Sequence, residues 1–335
     1  MKRTLIVLST TALFFISCQK QSNVAPPHIV TPPHELVNQK DISYGKGLDY
    51  SGQEVAAYHT LDIYFPPGAA NDKRYPLFFY IHAGGFLIGD KGTPDASDIC
   101  NDFAKAGYVA VSVNYRLGYP NSGNPGDCTA KRSDQQKAIY RALQDANAAM
   151  RFVINKADEY GIDKNNIFAG GASAGAITAL NMVYCTQAYC NSQLPGIEQE
   201  LGGLSNSVNS ITQNFTIKGV SNGWGVISDS TLITASNAVP TISFHGTDDN
   251  VCPPDNGHFL SCSNYPAAYG SINIHRQLSR LGKPVITHLL SGGGHGPDEY
   301  KNPFYSKEAI CFFDHIMSGE SISSGIYHGM KSGCK

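Results

Sequence analysis

The sequence predicts an α/β protein built on one doubly wound, mostly parallel sheet with helices on both faces. Three observations lead there. Short apolar runs recur along the chain and alternate with segments of helical period. The glycine-rich polar motifs sit at the C-terminal ends of such runs. The composition is that of a globular domain, with 335 residues, 41% of them hydrophobic and 16% charged, enough for one sizeable core. A formal net charge of −2 leaves no electrostatic footprint for nucleic acid, so that class of partner is set aside.

The elements follow in order. Residues 61–65 alternate with period two and end at Pro66-Pro67, which reads as an early edge-type strand. Residues 76–81 form a continuous apolar run, as buried parallel strands do, and 108–113 form another. Residues 96–105 between them read as a helix. The strongest helical signal covers 133–160, where Ile139, Leu143, Ala146, Met150 and Val153 share one face. Ser133 can cap that helix and Gly161 can stop it. A strand at 167–169 leads through Gly171-Ala172-Ser173-Ala174-Gly175 into a helix at 176–184. Strands at 217–221, 240–244 and 284–290 and helices at 269–281 and 306–317 complete the series. Repeated βα units of this size call for one sheet with right-handed crossovers, and sites on such sheets lie at the strands' carboxyl ends. The stretch from about 185 to 216 is rich in Ser, Asn, Gly and Gln. It breaks the pattern and reads as an insertion that shapes the site.

The first residues read as a targeting segment. Lys2 and Arg3 precede an apolar run over 5–16 and then Ser17-Cys18, the charged, apolar and small-residue order of a secretory signal. The apolar run is too short to span a bilayer. A Cys after the small residue resembles a bacterial lipobox, although Phe15 stands where Leu is commonest. The expected organisation is a lipoprotein-type signal at 1–18, a polar, Pro-bearing tether at 19–40 and one catalytic domain at 41–335. Lipidation falls on Cys18, and the protein is exported to the cell envelope, touching the membrane through that anchor alone. Without Cys18 the chain holds eight cysteines, an even number that suggests disulfides in an exported protein. Short spacing favours Cys185 with Cys190 and Cys252 with Cys262.

The chemistry gathers at four strand ends. Ser173 lies at the tip of a G-x-S-x-G turn whose glycines leave room for a strained nucleophile. His82-Ala83-Gly84-Gly85-Phe86 follows the 76–81 run, and its glycine pair lets backbone N–H groups face a site. The amides of Gly84, Gly85 and Ala174 are the candidate oxyanion donors. His245-Gly246-Thr247-Asp248-Asp249 supplies a carboxylate that can orient an imidazole, and Gly292-Gly293-Gly294-His295-Gly296 supplies that imidazole. The chain order is Ser173, Asp249, His295, the order of Ser-Asp-His hydrolases. Phe86 and Trp224 follow expected strand ends and are candidates for lining a pocket.

On these motifs the chain resembles the α/β-hydrolases, and within them the carboxylesterase/lipase-type enzymes with an HGGG-like oxyanion loop. The likeness covers about residues 50–320. It takes in Val113-Asn114-Tyr115-Arg116-Leu117, where the resemblance makes Arg116 structural, and Gly161-Ile162-Asp163 before the elbow strand. Ala83 departs from the pattern by replacing the first glycine, which leaves open which loop amides bind an oxyanion. The resemblance implies the α/β-hydrolase fold and an acyl-enzyme mechanism acting on small-molecule or carbohydrate esters, acetyl or feruloyl esters among them, with no metal or cofactor. It also makes Asp249, at the fifth place of a His-Gly-Thr-x-Asp loop, the triad acid. Two rivals remain open at this point: a serine peptidase of the same fold, and a non-catalytic surface-binding lipoprotein on a hydrolase scaffold.

Overall fold

The computed structural model describes residues 34–122 and 128–334. The expected signal, Cys18 and the first part of the expected tether lie outside those residues. Among these described residues, eleven strands and seven α-helices follow in chain order. They are β1 (Gln39–Ser43), β2 (Thr60–Tyr64), β3 (Tyr75–Ile81), α1 (Pro94–Lys105), β4 (Val109–Val113), α2 (Arg132–Asn155), β5 (Ile162–Ala172) and α3 (Ala174–Tyr184). Next come α4 (Gln187–Gln193), α5 (Ile197–Leu201), β6 (Gly219–Gly223), β7 (Thr241–Gly246), β8 (Asn256–His258), β9 (Ala267–Tyr269), α6 (Ser271–Arg280), β10 (Val285–Leu290), α7 (Phe304–Ser318) and β11 (Gly325–His328).

Nine strands form one sheet in the order β1-β2-β4-β3-β5-β6-β7-β10-β11. β1 and β2 run antiparallel, as do β2 and β4; every pairing from β4 through β11 is parallel. This is the α/β-hydrolase fold. Alternating strand residues explain its three layers. Leu77, Phe79 and Ile81 of β3 point into a core shared with Ala142, Ala146 and Met150 of α2, Leu180 of α3 and Leu278 of α6. Phe78 and Tyr80 point the other way, into a core shared with Phe103 of α1 and Phe312 and Phe313 of α7. The continuous apolar runs are therefore strands buried on both faces.

Four expectations need correction. β2 is not an edge strand, because β1 pairs along its outer side. The last residues of the expected tether are part of the domain: the Leu36 N–H donates to Ala69 O at 2.8 Å, Leu36 is buried, and β1 begins at Gln39. α2 ends at Asn155, short of 160, and Ser133 lies inside it, with Lys131 at the N-cap making no side-chain cap. The chain then turns through Gly161 at φ +62°.

The fourth correction concerns cysteine pairing. Cys262 bonds to Cys128, not to Cys252, and Cys311 bonds to Cys334. Cys252 is drawn inward, fully buried, with its N–H donating to Asp249 Oδ1. Cys262 faces the 128–130 segment instead, where Asn264 Nδ2 donates to Cys128 O and the Ala130 N–H donates to Tyr265 Oη. Sequence proximity misleads here because Cys252 is held at Asp249 while Cys262 is held at the 128–130 segment. The expected Cys185–Cys190 bond is not formed either: the two lie together as free thiols, their Sγ atoms 3.0 Å apart.

The expected insertion carries α4 and α5. It packs on α2 through a small cluster of Tyr140, Leu143, Ile197 and Leu204. Arg116 is buried, and its Nε donates to Asp145 of α2 at 2.9 Å while Nη2 reaches Gln144. It thereby fastens the end of β4 to that helix. No helix among the described residues is long and apolar enough to cross a membrane.

Candidate active site

Ser173 stands between β5 and α3 with φ +52° and ψ −118°. A non-glycine residue there is strained by about 1–3 kcal/mol and persists only where its surroundings hold it. They do so on both sides. The Ser173 N–H donates to Gly223 O at 2.7 Å, and Ser173 O accepts from the Ile177 N–H. Gly171 and Gly175 let the turn press against the end of β3. A Cβ on Gly175 would stand 1.9 Å from Ile81 O and 2.7 Å from His82 O, and one on Gly171 would stand 2.5 Å from Ile81 O. The same absence of side chains brings the start of α3 against the 82–86 loop.

That loop is tightly wound. Gly84, Gly85 and Phe86 all have positive φ, and the amides of Leu87 and Ile88 both donate back to Gly84 O. A Cβ on Gly84 would meet Ile88 O at 1.8 Å, so a side chain has no place there. Ala83 packs toward the α1/α7 core and lines the cavity on that side of the sheet. Its methyl thus takes no room from the cleft on the α2/α3 side, which Gly85 and Phe86 line. His82 is buried and stacked on Tyr115 at 4.4 Å, and burial lowers its pKa against the opposing pull of Ala83 O and Asp90. It is a neutral wedge in the loop.

The loops after β7 and β10 interlock. The Asp248 N–H donates to Gly293 O at 2.9 Å, and the Gly292 N–H donates to Thr247 Oγ1 at 2.8 Å. A Cβ on Gly246 would lie 2.1 Å from Gly293 O. This registers Asp249 against His295. Asp249 Oδ1 accepts from the amides of Val251 and Cys252, and Oδ2 lies 2.8 Å from His295 Nδ1. His295 Nε2 lies 2.8 Å from Ser173 Oγ. A carboxylate can only accept, so a neutral His295 carries its hydrogen on Nδ1 and turns the Nε2 lone pair to the Ser173 hydroxyl. Asp248 is exposed and takes its hydrogen bond from Thr247 Oγ1.

One further histidine was seen in the sequence only as part of a motif. His245 is fully buried, with Nε2 2.9 Å from Cys252 O and 3.2 Å from Asp249 Oδ2. Two acceptors face Nε2, so that nitrogen carries the hydrogen and Nδ1 accepts from Ser271 Oγ at 2.7 Å. Asn222 Nδ2 completes the chain by donating to Ser271 Oγ. The signal for this was present: a His four residues before an Asp at one strand end. Its burial and the Ser271 contact, 26 residues away, were not. Burial alone would raise the Asp249 pKa, but the hydrogen bonds from His245 and His295 outweigh it and hold the carboxyl well below the usual range.

The candidate pocket residues fall on opposite sides. Phe86 lines the α2/α3-side cleft with Ile139, Ile177, Tyr189 and Phe259. Trp224, at φ +44°, lines the α1/α7-side cavity with Gly84 and Tyr300, and its indole lies against Gly296 beside His295. The structure therefore brings Ser173, His295 and Asp249 into one hydrogen-bonded line. It sets Gly84, Gly85 and Ala174 on the two segments that meet at Gly175. A hydroxyl activated by a carboxylate-oriented imidazole beside a helix N-terminus can carry out acyl transfer.

A family model described as BD-FAE matches residues 61–236, more than half of the 335-residue chain. Among curated proteins, gut esterase 1 of Caenorhabditis elegans is 32% identical over 146 residues, covering 44% of this chain and 22% of that protein. Esterase LipI of Mycobacterium tuberculosis is 34% identical over 118 residues, 35% of this chain and 31% of that one. The chain thus spans between a fifth and a third of the length of these relatives. Among solved structures, a truncated carbohydrate esterase from gut microbiota aligns with a TM-score of 0.57 at 17% identity, over 85% of this chain and 97% of that one. Thermogutta terrifontis esterase 2 aligns with a TM-score of 0.52 at 19% identity, over 88% of this chain and all of that one (100%). These structural likenesses speak to the fold.

Proposed function

The chain belongs to the BD-FAE family, and from that premise we propose that it is a carboxylic ester hydrolase working through a Ser-His-Asp acyl-enzyme mechanism. The observation that carries this reading is the line Ser173 Oγ, His295 Nε2 and Nδ1, Asp249 Oδ2, with both links at 2.8 Å. Ser173 Oγ attacks the ester carbonyl as His295 Nε2 takes its proton. Asp249, held by four hydrogen-bond donors, keeps the ring in the right tautomer and stabilises the imidazolium. The amides of Gly84, Gly85 and Ala174 receive the oxyanion. His295 then returns the proton to the leaving alcohol, and water repeats the cycle on the acyl-enzyme. Carbohydrate-linked acetyl or feruloyl esters stand first among candidate substrates, in keeping with the carbohydrate esterase among the fold neighbours.

Hydrolysis of p-nitrophenyl acetate and butyrate by the purified protein tests the reading. Ser173→Ala should lower kcat by about 10⁶ at unchanged circular dichroism, by analogy with serine proteases. Wild-type turnover in that variant would overturn it. We further propose an exported, envelope-located protein lipidated on Cys18. Radiolabelled palmitate should then label the wild type and not Cys18→Ala, and equal labelling would dismiss the anchor.

A further inference from the structure

Two thiols sit in the wall of the cleft beside Gly85. Cys185 closes the C-terminal end of α3, and Cys190 lies in α4; their Sγ atoms are 3.0 Å apart and both residues are half-buried. Both line the cleft, together with Tyr189, Gln193 and Leu194 of the same segment. The remaining thiols among the described residues, Cys100 and Cys252, are fully buried, and burial pushes both pKa values up. Those two are chemically quiet. Within the cleft pair, the mutual hydrogen bond is the main cause of an inequality: it lowers the Cys190 pKa and raises that of Cys185. Either thiol can give that hydrogen bond, and the lowered pKa makes Cys190 the readier thiolate.

Another part of the lining is already stapled. The Cys128–Cys262 disulfide ties residues 134 apart in sequence and fixes the segment carrying Phe259, Pro266 and Ala268, which line the same cleft. Cys185 and Cys190 are only five residues apart. Closing so short a loop removes little entropy from the unfolded chain, so such a bond is the less protected kind. Drawing the two sulfurs to bonding distance shortens their separation by about 1 Å. That draws α4 toward the end of α3 and, with it, Tyr189, which lines the cleft and whose hydroxyl lies 3.0 Å from Ser228 Oγ.

We propose that Cys185 and Cys190 form a reversible dithiol–disulfide site that exchanges with low-molecular-weight disulfides and sets the width of the substrate cleft. The Cys190 thiolate attacks one sulfur of the disulfide RSSR, forming a mixed disulfide and expelling RS⁻. Cys185 then loses its proton and attacks Cys190 Sγ, closing the protein disulfide and expelling the second RS⁻. The balance is protein dithiol plus RSSR giving protein disulfide plus two RSH, and excess thiol runs it backward. The exchange stands apart from the esterase reading, whereas its effect on turnover rests on it.

The test equilibrates the purified protein with oxidised and reduced glutathione, alkylates it with iodoacetamide under denaturing conditions, and maps the labelled cysteines by mass spectrometry. Cys185 and Cys190 should be labelled after reduced glutathione and protected after oxidised glutathione, while Cys100 and Cys252 are labelled in both and Cys128–Cys262 and Cys311–Cys334 stay intact. In parallel, KM for a p-nitrophenyl ester of a bulky aromatic acid should rise about threefold on oxidation, with p-nitrophenyl acetate unaffected. Cys185→Ser should lose the KM response. A pair labelled equally in both buffers, or protected in both, would overturn the reversible site. Reversible closure with an unchanged KM for the bulky ester would overturn the cleft-width claim. Absence of any ester hydrolysis in either state would count against the esterase reading, with the labelling still deciding the exchange.

Discussion

Asp248 and Asp249 are neighbours with the same chemistry and opposite surroundings. Asp249 is buried among two amides and two imidazoles, and Asp248 is exposed on the turn. Asp249→Asn should lower kcat by about 10⁴, because an amide can favour the wrong His295 tautomer. Asp248→Asn should leave kcat close to wild type. Equal losses in kcat assays on one activated ester would contradict this assignment. The depressed Asp249 pKa also fixes a sign. Its ionised form stabilises the fold above the unfolded value of about 3.9, and that contribution is lost as pH falls below it toward the folded value. Denaturant titrations should therefore show less loss of stability between about pH 5 and pH 3 in Asp249→Asn than in the wild type. At this scale Ser173, Asp249 and His295 could be placed from motif spacing and family likeness. The support from His245, Ser271 and Asn222 could not, because it joins the ends of β6 and β7 to the start of α6, which only the folded chain brings together.

Glycines act at the scale of elements, and they are not equivalent. Gly175 lets α3 meet the end of β3, where an added Cβ would stand 1.9 Å from Ile81 O. Gly175→Ala should cost about 3 kcal/mol or more through overpacking and separate the elbow from the 82–86 loop, lowering both Tm and kcat. Gly294, next to His295, has open space around it and no positive φ. Gly294→Ala should keep near wild-type activity. Thermal melts with kcat for both variants check the contrast, and a tolerant Gly175 would contradict the packing argument. Strands such as β3 and β4 were readable because burial on both faces demands unbroken apolar runs. β1, β8, β9 and β11 were not: they are short and lie at an edge or outside the main sheet, so no periodicity announces them.

At the scale of the whole molecule, the sheet order places β5, β6, β7 and β10 side by side, so loops 122 residues apart in sequence deliver Ser173 and His295 to one point. The order of βα units was legible in the chain; the pairing of Cys128 with Cys262 was not, since it depends on how loops cross above the sheet. On the proposed function, this convergence makes Ser173 an activated nucleophile. The most direct measurement of this is covalent capture: incubation with a dialkyl p-nitrophenyl phosphate, followed by intact mass and peptide mapping. The expected result is one stoichiometric phosphoryl adduct, located on Ser173, and slow or absent labelling of His295→Ala. An adduct on another residue, or equally rapid labelling of Ser173 in the His295→Ala protein, would contradict it.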